Sequence, residues 1–384
     1  MKTLGIDAMN IRDGGGLTHL REILYHASPE TILFDRVIVW GNDVCLQELP
    51  NHPWLTKINP FPDKSSGLST TLWQIFSLGK AARKMNCSLL FIAGGSSLTR
   101  FRPRVTICHN MLPFTDAALQ LYPTGIRKYK FYLLRFIQLH TFQTANGIIF
   151  LSDWAKKSLL QKMGMSNHPL AVIPHGVNPG FNFPDRVHRS IEDCSSHKPF
   201  MLLYVSRIES YKNQLQVIEA FHQLLIQTQW PLRLQLAGLA SDKQYERLVK
   251  KKIATVDPEG EVIDYLGAVP YEKLGTYYRE ADLGIFASSC ENMPIILLEK
   301  MASGLPIICN DAPPMPDFLL DAGEYVDFKD IDRVTQTLNE LIAKKSERIQ
   351  FSKLGIEACV QYNWKKSSKK TFQYLFDLKN NKHE

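Results

Sequence analysis

The sequence predicts an α/β chain of two doubly wound parallel-sheet domains. Three observations predict it. Short apolar runs alternate with amphipathic helical patterns along most of the length. There are about ten such runs, more than one compact sheet normally holds. The 384 residues are too many for one ordinary core and suit two domains of roughly 150–200 residues.

The elements follow in order. Leu4–Ala8 reads as the first strand, followed by Asp13-Gly14-Gly15-Gly16, a loop that opens a helix. Further strands are expected at 36–40, 88–92, 105–108, 147–151 and 170–173. Pro174 to Pro199 breaks the rhythm with Pro174, Pro179, Gly180, Pro184 and the polar Asp193–His197, and reads as linker and loop. Strands resume at 200–205, 233–237, 262–266, 283–287 and 306–309. Each is short and largely apolar, as a strand covered on both faces requires. Thr371–Lys379 is an amphipathic closing helix. The expected domains are 1–178 and 179–364.

Hydrophobic content of 45% and charged content of 22% are those of a globular protein. Seven cysteines at 45, 87, 108, 194, 290, 309 and 359, an odd number with no Cys-x-x-Cys, point to reduced thiols and a cytoplasmic setting. The N-terminus lacks the apolar run of a signal peptide, and no stretch of 18 apolar residues suggests a membrane span. The net charge of +7 is uneven: residues 1–180 hold 19 Lys+Arg against 10 Asp+Glu, while 181–384 hold 26 against 28. The first half therefore carries a basic field suited to an anionic partner.

Cys290-Glu291-Asn292-Met293-Pro294 precedes Leu298-Glu299-Lys300-Met301, with Gly304-Leu305-Pro306 as a stop. A helix beginning at Pro294 places Glu291 in the loop before its N-terminus and Glu299 within it. Free N–H groups there favour phosphate or developing negative charge. Upstream, the strand ending near Ser206 leads into Arg207 and Lys212. Ligands of doubly wound sheets bind beyond the carboxyl ends of the strands, where two such cations can neutralise a diphosphate.

These motifs resemble those of the retaining glycosyltransferases of family 4 (group 1), whose fold is GT-B, two Rossmann-like domains facing across a cleft. The resemblance covers nearly the whole chain and is most specific over residues 200–315. It implies a metal-independent hexosyltransferase that retains anomeric configuration. The co-substrate would be a GDP- or UDP-linked sugar, with no cofactor. The acceptor would be a glycan or lipid-linked hydroxyl in polysaccharide or lipopolysaccharide biosynthesis. It further implies that 1–178 binds the acceptor, that 179–364 binds the donor, and that the helix 365–384 packs back on the first domain.

Residue by residue, Arg207 and Lys212 match the pair that holds the nucleotide diphosphate, with Ser206 beside them. Glu299 matches the residue that accepts from ribose hydroxyls. Glu291 matches the residue beside the donor sugar, where Asn292, Met293 and Pro294 replace the usual aromatic-Gly sequence. Tyr265-Leu266-Gly267-Ala268-Val269-Pro270 resembles the Gly-x-Val loop against the nucleobase, which makes Val269 the base contact. In the first half, Gly15 and Gly16 match the loop that touches phosphate or acceptor, with Thr18 and His19 as further acceptor-side candidates. His109 matches a catalytic His at a strand end, with Asn110 in the place of the usual Asp. Ile173-Pro174-His175-Gly176-Val177 resembles the family's Pro-Asn-Gly-Val hinge with His in place of Asn.

No metal site is expected. Asp330-Ile331-Asp332 lies away from every motif above and reads as a helix N-terminus. Residues 126–136 mix cations with aromatics, a composition suited to an anionic membrane surface, peripheral on its inner face. The alternatives are an epimerase or phosphorylase of the same fold, or a basic lipid- or nucleic-acid-binding protein. No basic-aromatic nucleic-acid motif supports the last, so nucleic acid is not an expected partner.

Overall fold

The computed structural model describes residues 2–61, 67–122, 125–164, 168–183 and 185–380. Pro184 of the expected linker and the last four positions of the tail lie outside them. The chain divides into two units. One holds residues 1–119, 123–176 and 362–384; the other holds 120–122 and 177–361.

The first unit is built on seven parallel strands: β1 (Thr3–Ala8), β2 (Arg36–Gly41), β3 (Leu55–Ile58), β4 (Cys87–Ile92), β5 (Arg104–Cys108), β6 (Gly147–Phe150) and β7 (Leu170–Val172). Their order is β3-β2-β1-β4-β5-β6-β7. The second unit has six: β8 (Phe200–Val205), β9 (Leu232–Ala237), β10 (Ile263–Gly267), β11 (Leu283–Phe286), β12 (Ile307–Asn310) and β13 (Gly323–Val326). They run β10-β9-β8-β11-β12-β13, again all parallel. In each sheet the order reverses once, between β1 and β4 and between β8 and β11. A crevice opens at such a switch point, beyond the carboxyl ends of the strands.

The expected strands appear within a residue or so of their predicted bounds. Two strands were not expected, β3 and β13, and both sit at a sheet edge. Every residue of β3 is only half-buried, so its sequence Leu-Thr-Lys-Ile lacks the continuous apolar character of a central strand. A second difference concerns the glycines after β1. The helix begins at Gly14, so Gly15 and Gly16 form its first turn instead of a preceding loop.

The core of the second unit gathers Leu202, Tyr204, Leu234 and Ile285 from one face of its sheet and Phe221 from the helix Gln214–Thr228. The closing helix spans Trp364–Asn380 and belongs to the first unit. There Ser368 Oγ donates to Ile23 O at 2.6 Å and Tyr374 OH to Pro169 O at 2.7 Å. Asp330 caps the helix Ile331–Ala343, its carboxylate accepting from Arg333 N at 3.0 Å, in line with the expected helix N-terminus.

One glycine is indispensable to the second unit. Gly238, just past β9, has φ +152°, and a Cβ there would lie 1.8 Å from Ser206 O. Gly238→Ala is therefore expected to cost about 2–3 kcal/mol and to displace the Ser206–Arg207 backbone. Urea unfolding checks it: a midpoint within error of wild type would contradict the close approach.

Candidate active site

At the β8/β11 switch point two loops meet. One runs from Ser206 to Asn213, the other from Ala287 to Pro294. Asn213, in the left-handed region at φ 56°, donates from Nδ2 to Ala287 O at 2.7 Å. Ser289 donates to Tyr211 O through its backbone N at 2.8 Å and through Oγ at 3.0 Å. Gln214 Nε2 donates to Ser206 Oγ at 2.9 Å and to Arg207 O at 2.7 Å, holding the base of the first loop. Tyr204 OH donates to Lys212 O at 2.5 Å. The loops are thus fixed by hydrogen bonds before any charged side chain is placed.

On this frame Lys212 and Glu291 form an ion pair. Their side chains are 8% and 16% exposed, so the pair is shielded from water but still reachable. Arg207 stands on the same loop, half-buried, with Nη1 donating to Ser241 Oγ at 3.3 Å. Asn292, Met293 and Pro294 are buried behind Glu291. Pro294 occupies the cap position of the helix Ile295–Ala302, one place before its first residue, and no side chain caps that end. The N-terminal N–H groups therefore open toward the loop that carries Glu291.

Glu299, one turn in, is 1% exposed. Tyr271 OH donates to its Oε1 and Tyr278 OH to its Oε2, each at 3.0 Å. Two phenols from one neighbouring segment thus fix both oxygens of the carboxylate. Burial and the adjacent Glu299 charge push the Tyr278 hydroxyl well above its ordinary pKa, so it stays a donor. Val269 lies half-buried in the loop after β10, which leaves its strand at Gly267 with φ +64°.

Sequence reasoning did not single out Tyr271, Tyr278, Gln214 or Lys300. Lys300 was the findable one, a lone cation in the apolar helix run Ile-Ile-Leu-Leu-Glu-Lys-Met-Ala. It is fully buried, donates to Ile285 O, and lies 5.3 Å from the Tyr204 ring centroid and 5.5 Å from that of Phe286. Burial lowers its pKa to about 7.

The first unit carries the remaining candidates at its own strand ends. Gly15 is exposed and Gly16 half-buried, and a Cβ built on Gly16 would meet nothing within 4 Å. No protein atom demands glycine at position 16. Thr18 is half-buried on the same helix. His19 is fully buried and pairs Nδ1 to Nδ1 with His175 at 3.0 Å. His109, just past β5, meets the His19 ring edge-on at 4.9 Å between centroids, and Trp364 lies 5.4 Å from His175. One residue each from four distant segments forms this cluster. Burial drives all three imidazoles toward the neutral form, His109 to about 4 and the other two well below their ordinary range.

Asn110 is exposed, its Oδ1 accepting from Leu112 N at 2.9 Å, and it lines a cavity of about 390 Å³ with Asn10, Gln74, Ser96 and Gln138. Gln138 Oε1 is buried there without a hydrogen-bond partner. Beneath the same strand ends Gln74 Nε2 donates to Asp7 Oδ2 at 2.8 Å, and burial raises the Asp7 pKa to about 6. Among the described residues no group of three or more His, Cys, Asp or Glu is arranged to hold a metal ion.

Comparisons with known proteins bear on the family and the fold. Residues 191–357 match the family model "Glycosyl transferases group 1", and residues 36–181 match "Glycosyltransferase Family 4". The chain is 23% identical over 335 residues to the amylovoran biosynthesis glycosyltransferase AmsD of Erwinia amylovora, covering 83% of this chain and 87% of that protein. It is 26% identical over 169 residues to the O-antigen chain mannosyltransferase B of Escherichia coli, spanning only 44% of that protein and 44% of this chain. Among solved structures, sucrose-phosphate synthase of Thermosynechococcus elongatus superposes with a TM-score of 0.78 at 16% identity, over 98% of this chain and 99% of that one. HepE of Anabaena, solved with UDP and glucose, gives 0.70 at 16% identity over 98% and 99%. The architecture is thus GT-B.

A pH experiment tests the placement of Lys300. Its pKa is depressed in the folded chain, so between pH about 7 and about 10.5 the unfolded chain binds a proton that the folded chain lacks. Stability should therefore rise with pH across that window. Lys300→Met should remove this slope, so that the variant loses ground to wild type as pH rises. Parallel melting-temperature profiles for the two proteins would contradict a buried, weakly protonated lysine.

Proposed function

The chain belongs to the group 1 glycosyltransferases of family 4, and on that premise we propose that it transfers a hexose or deoxyhexose from a UDP- or GDP-linked sugar to a hydroxyl of a growing cell-surface polysaccharide. The observation that carries the reading is the shielded Lys212–Glu291 pair beside Arg207 at the β8/β11 switch point.

An arriving diphosphate brings charge that both cations can take up. Arg207 can fork onto two of its oxygens, and Lys212 can give it a second contact as a point charge. Glu291, relieved of its lysine, is then available to the hydroxyls of the donor sugar and to positive charge developing at its anomeric carbon. Glu299, already aimed by two phenols, accepts from the vicinal ribose hydroxyls. The loop at Val269 meets the base. As the glycosidic bond breaks, negative charge gathers on the leaving diphosphate, where the cations and the open helix N-terminus stabilise it more than in the ground state. We propose that these groups act without a divalent ion. We also propose that a leaving-phosphate oxygen removes the acceptor proton on the same face, so that the anomeric configuration is retained.

The acceptor belongs, on this reading, to the first unit. Its uncharged amide and hydroxyl cavity by Asn10, Asn110 and Gln138 has the chemistry of a neutral glycan site. Neutral His109, next to Asn110 in the chain, can accept or donate one hydrogen bond without bringing charge. The exopolysaccharide and O-antigen relatives support a polysaccharide acceptor, and HepE's UDP supports the donor class. No helix among the described residues is long and apolar enough to cross a membrane. The exposed basic-aromatic face of residues 126–136 supports peripheral attachment to an anionic bilayer, where lipid-linked acceptors reside.

Arg207→Ala and Glu299→Ala should each lower kcat/KM for donor turnover by at least about a hundredfold with the fold intact. Tyr278→Phe should cost less, about 1 kcal/mol, seen mainly as a raised donor KM. Transfer assayed by product chromatography checks both, and undiminished turnover in the first two variants would overturn the assigned roles. An α-linked donor should give an α-linked product by NMR; a β-linked product would exclude the retaining course.

A further inference from the structure

A second cavity in the first unit adjoins the first, with Leu98 lining both, and reaches the amino end of β5, where Arg104 begins the strand. The cavity measures about 520 Å³ and is lined by Arg100, Arg102, Arg104, His140, Thr144 and Ile75, among others. Three guanidinium groups from five consecutive residues converge on it. None of them forms an ion pair with a carboxylate among the described residues.

Arg104 is the informative member. It is 3% exposed, donates from Nη2 to Thr144 Oγ1, and leaves Nε buried without a partner. Arg102 reaches only the neutral Asn146, at 3.3 Å. Burial and the Arg102 charge weaken protonation of Arg104, to a pKa of about 10. A buried cation with an idle donor and like charges for neighbours is costly unless an anion joins it.

The surroundings indicate where that anion is carried. On the helix Ile126–Thr144 the residues Ile126, Tyr129, Leu133 and Phe136 recur at helical spacing and are 59–77% exposed. His140, the next position on that stripe, lines the cavity. On the helix Gly67–Phe76 a second stripe of Leu68, Leu72 and Phe76 is also exposed, and Ile75 beside it lines the same cavity. An exposed apolar stripe that ends at an arginine pocket fits a bilayer surface, with acyl chains against the stripe and a headgroup in the pocket.

We propose that the cavity of Arg100, Arg102, Arg104 and His140 binds the phosphate headgroup of an anionic membrane lipid, anchoring the protein through the first unit. This rests on the peripheral-attachment reading above and gives it a specific ligand. Guanidinium forks suit a phosphate bidentately, and Arg104 Nε supplies the buried contact.

Vesicle sedimentation tests it, with phosphatidylcholine alone or mixed with phosphatidylglycerol, on wild type, Arg100→Gln/Arg102→Gln and Leu133→Ser/Phe136→Ser. Both variants keep Arg104 in place, and their thermal unfolding midpoints serve as the fold check. Wild type should sediment with the anionic vesicles only. The arginine variant should lose about fivefold in partitioning per arginine removed, and the stripe variant should also weaken. If the stripe variant weakens while the arginine variant sediments like wild type, peripheral attachment stands and the headgroup pocket is overturned. A wild type that ignores anionic vesicles overturns both. A thermal shift by inorganic phosphate, lost in the arginine variant, would in that case assign the pocket to free phosphate.

Discussion

The candidate site of the second unit depends on one interaction, the ion pair of Lys212 with Glu291. Exposed pairs contribute little, and fully buried ones pay desolvation that their attraction barely offsets. This one lies between those limits, at 8% and 16% side-chain exposure. Its attraction is therefore strong enough to hold both side chains in place, yet a ligand can reach and divide it. The backbone around it is arranged to fix the two carriers and leave their charges exchangeable. Asn213 to Ala287 O, Ser289 to Tyr211 O and Tyr204 to Lys212 O are all bonds to main-chain carbonyls. Beneath them, Lys300 adds a cation whose charge is suppressed by burial.

Both units place their polar groups by the same rule. A parallel sheet buries its strands on both faces and sends its loops to the carboxyl edge, and a reversal of strand order parts two neighbouring loops there. At β1/β4 the parted loops carry neutral groups such as Asn10 and Ser96, with Gln138 supplied from a helix. At β8/β11 they carry charges. Under the proposed function the first set would suit a hydroxyl-rich glycan and the second a diphosphate. The uneven charge of the sequence has a different origin. Three of the first half's cations, Arg100, Arg102 and Arg104, line one cavity.

Most of the architecture could be read from the sequence because most strands are short, largely apolar runs bounded by turn residues. β3 and β13 escaped because their four residues, Leu-Thr-Lys-Ile and Gly-Glu-Tyr-Val, hold no apolar run. The candidate residues of the second unit were legible for a different reason. Ser206 to Lys212 and Glu291 to Glu299 are each local, so spacing along the chain is spacing in space. Tyr271 and Tyr278 were missed because their bonds to Glu299 bridge separate segments. His19, His109, His175 and Trp364 come together from positions with no sequence relation at all. The helix Ile126–Thr144 shows a further limit. Its apolar spacing is that of a core-facing helix, and only the structure shows that Ile126, Tyr129, Leu133 and Phe136 face outward.

The measurement closest to the central claim is calorimetric titration of nucleoside diphosphates onto the wild type and Lys212→Ala, with EDTA present throughout. The account predicts one-to-one binding of UDP or GDP to wild type and its loss, by at least about tenfold in Kd, in the variant. Equal affinity in the two proteins, or binding that appears only when a divalent ion is restored, would contradict a diphosphate held by the cations of this loop.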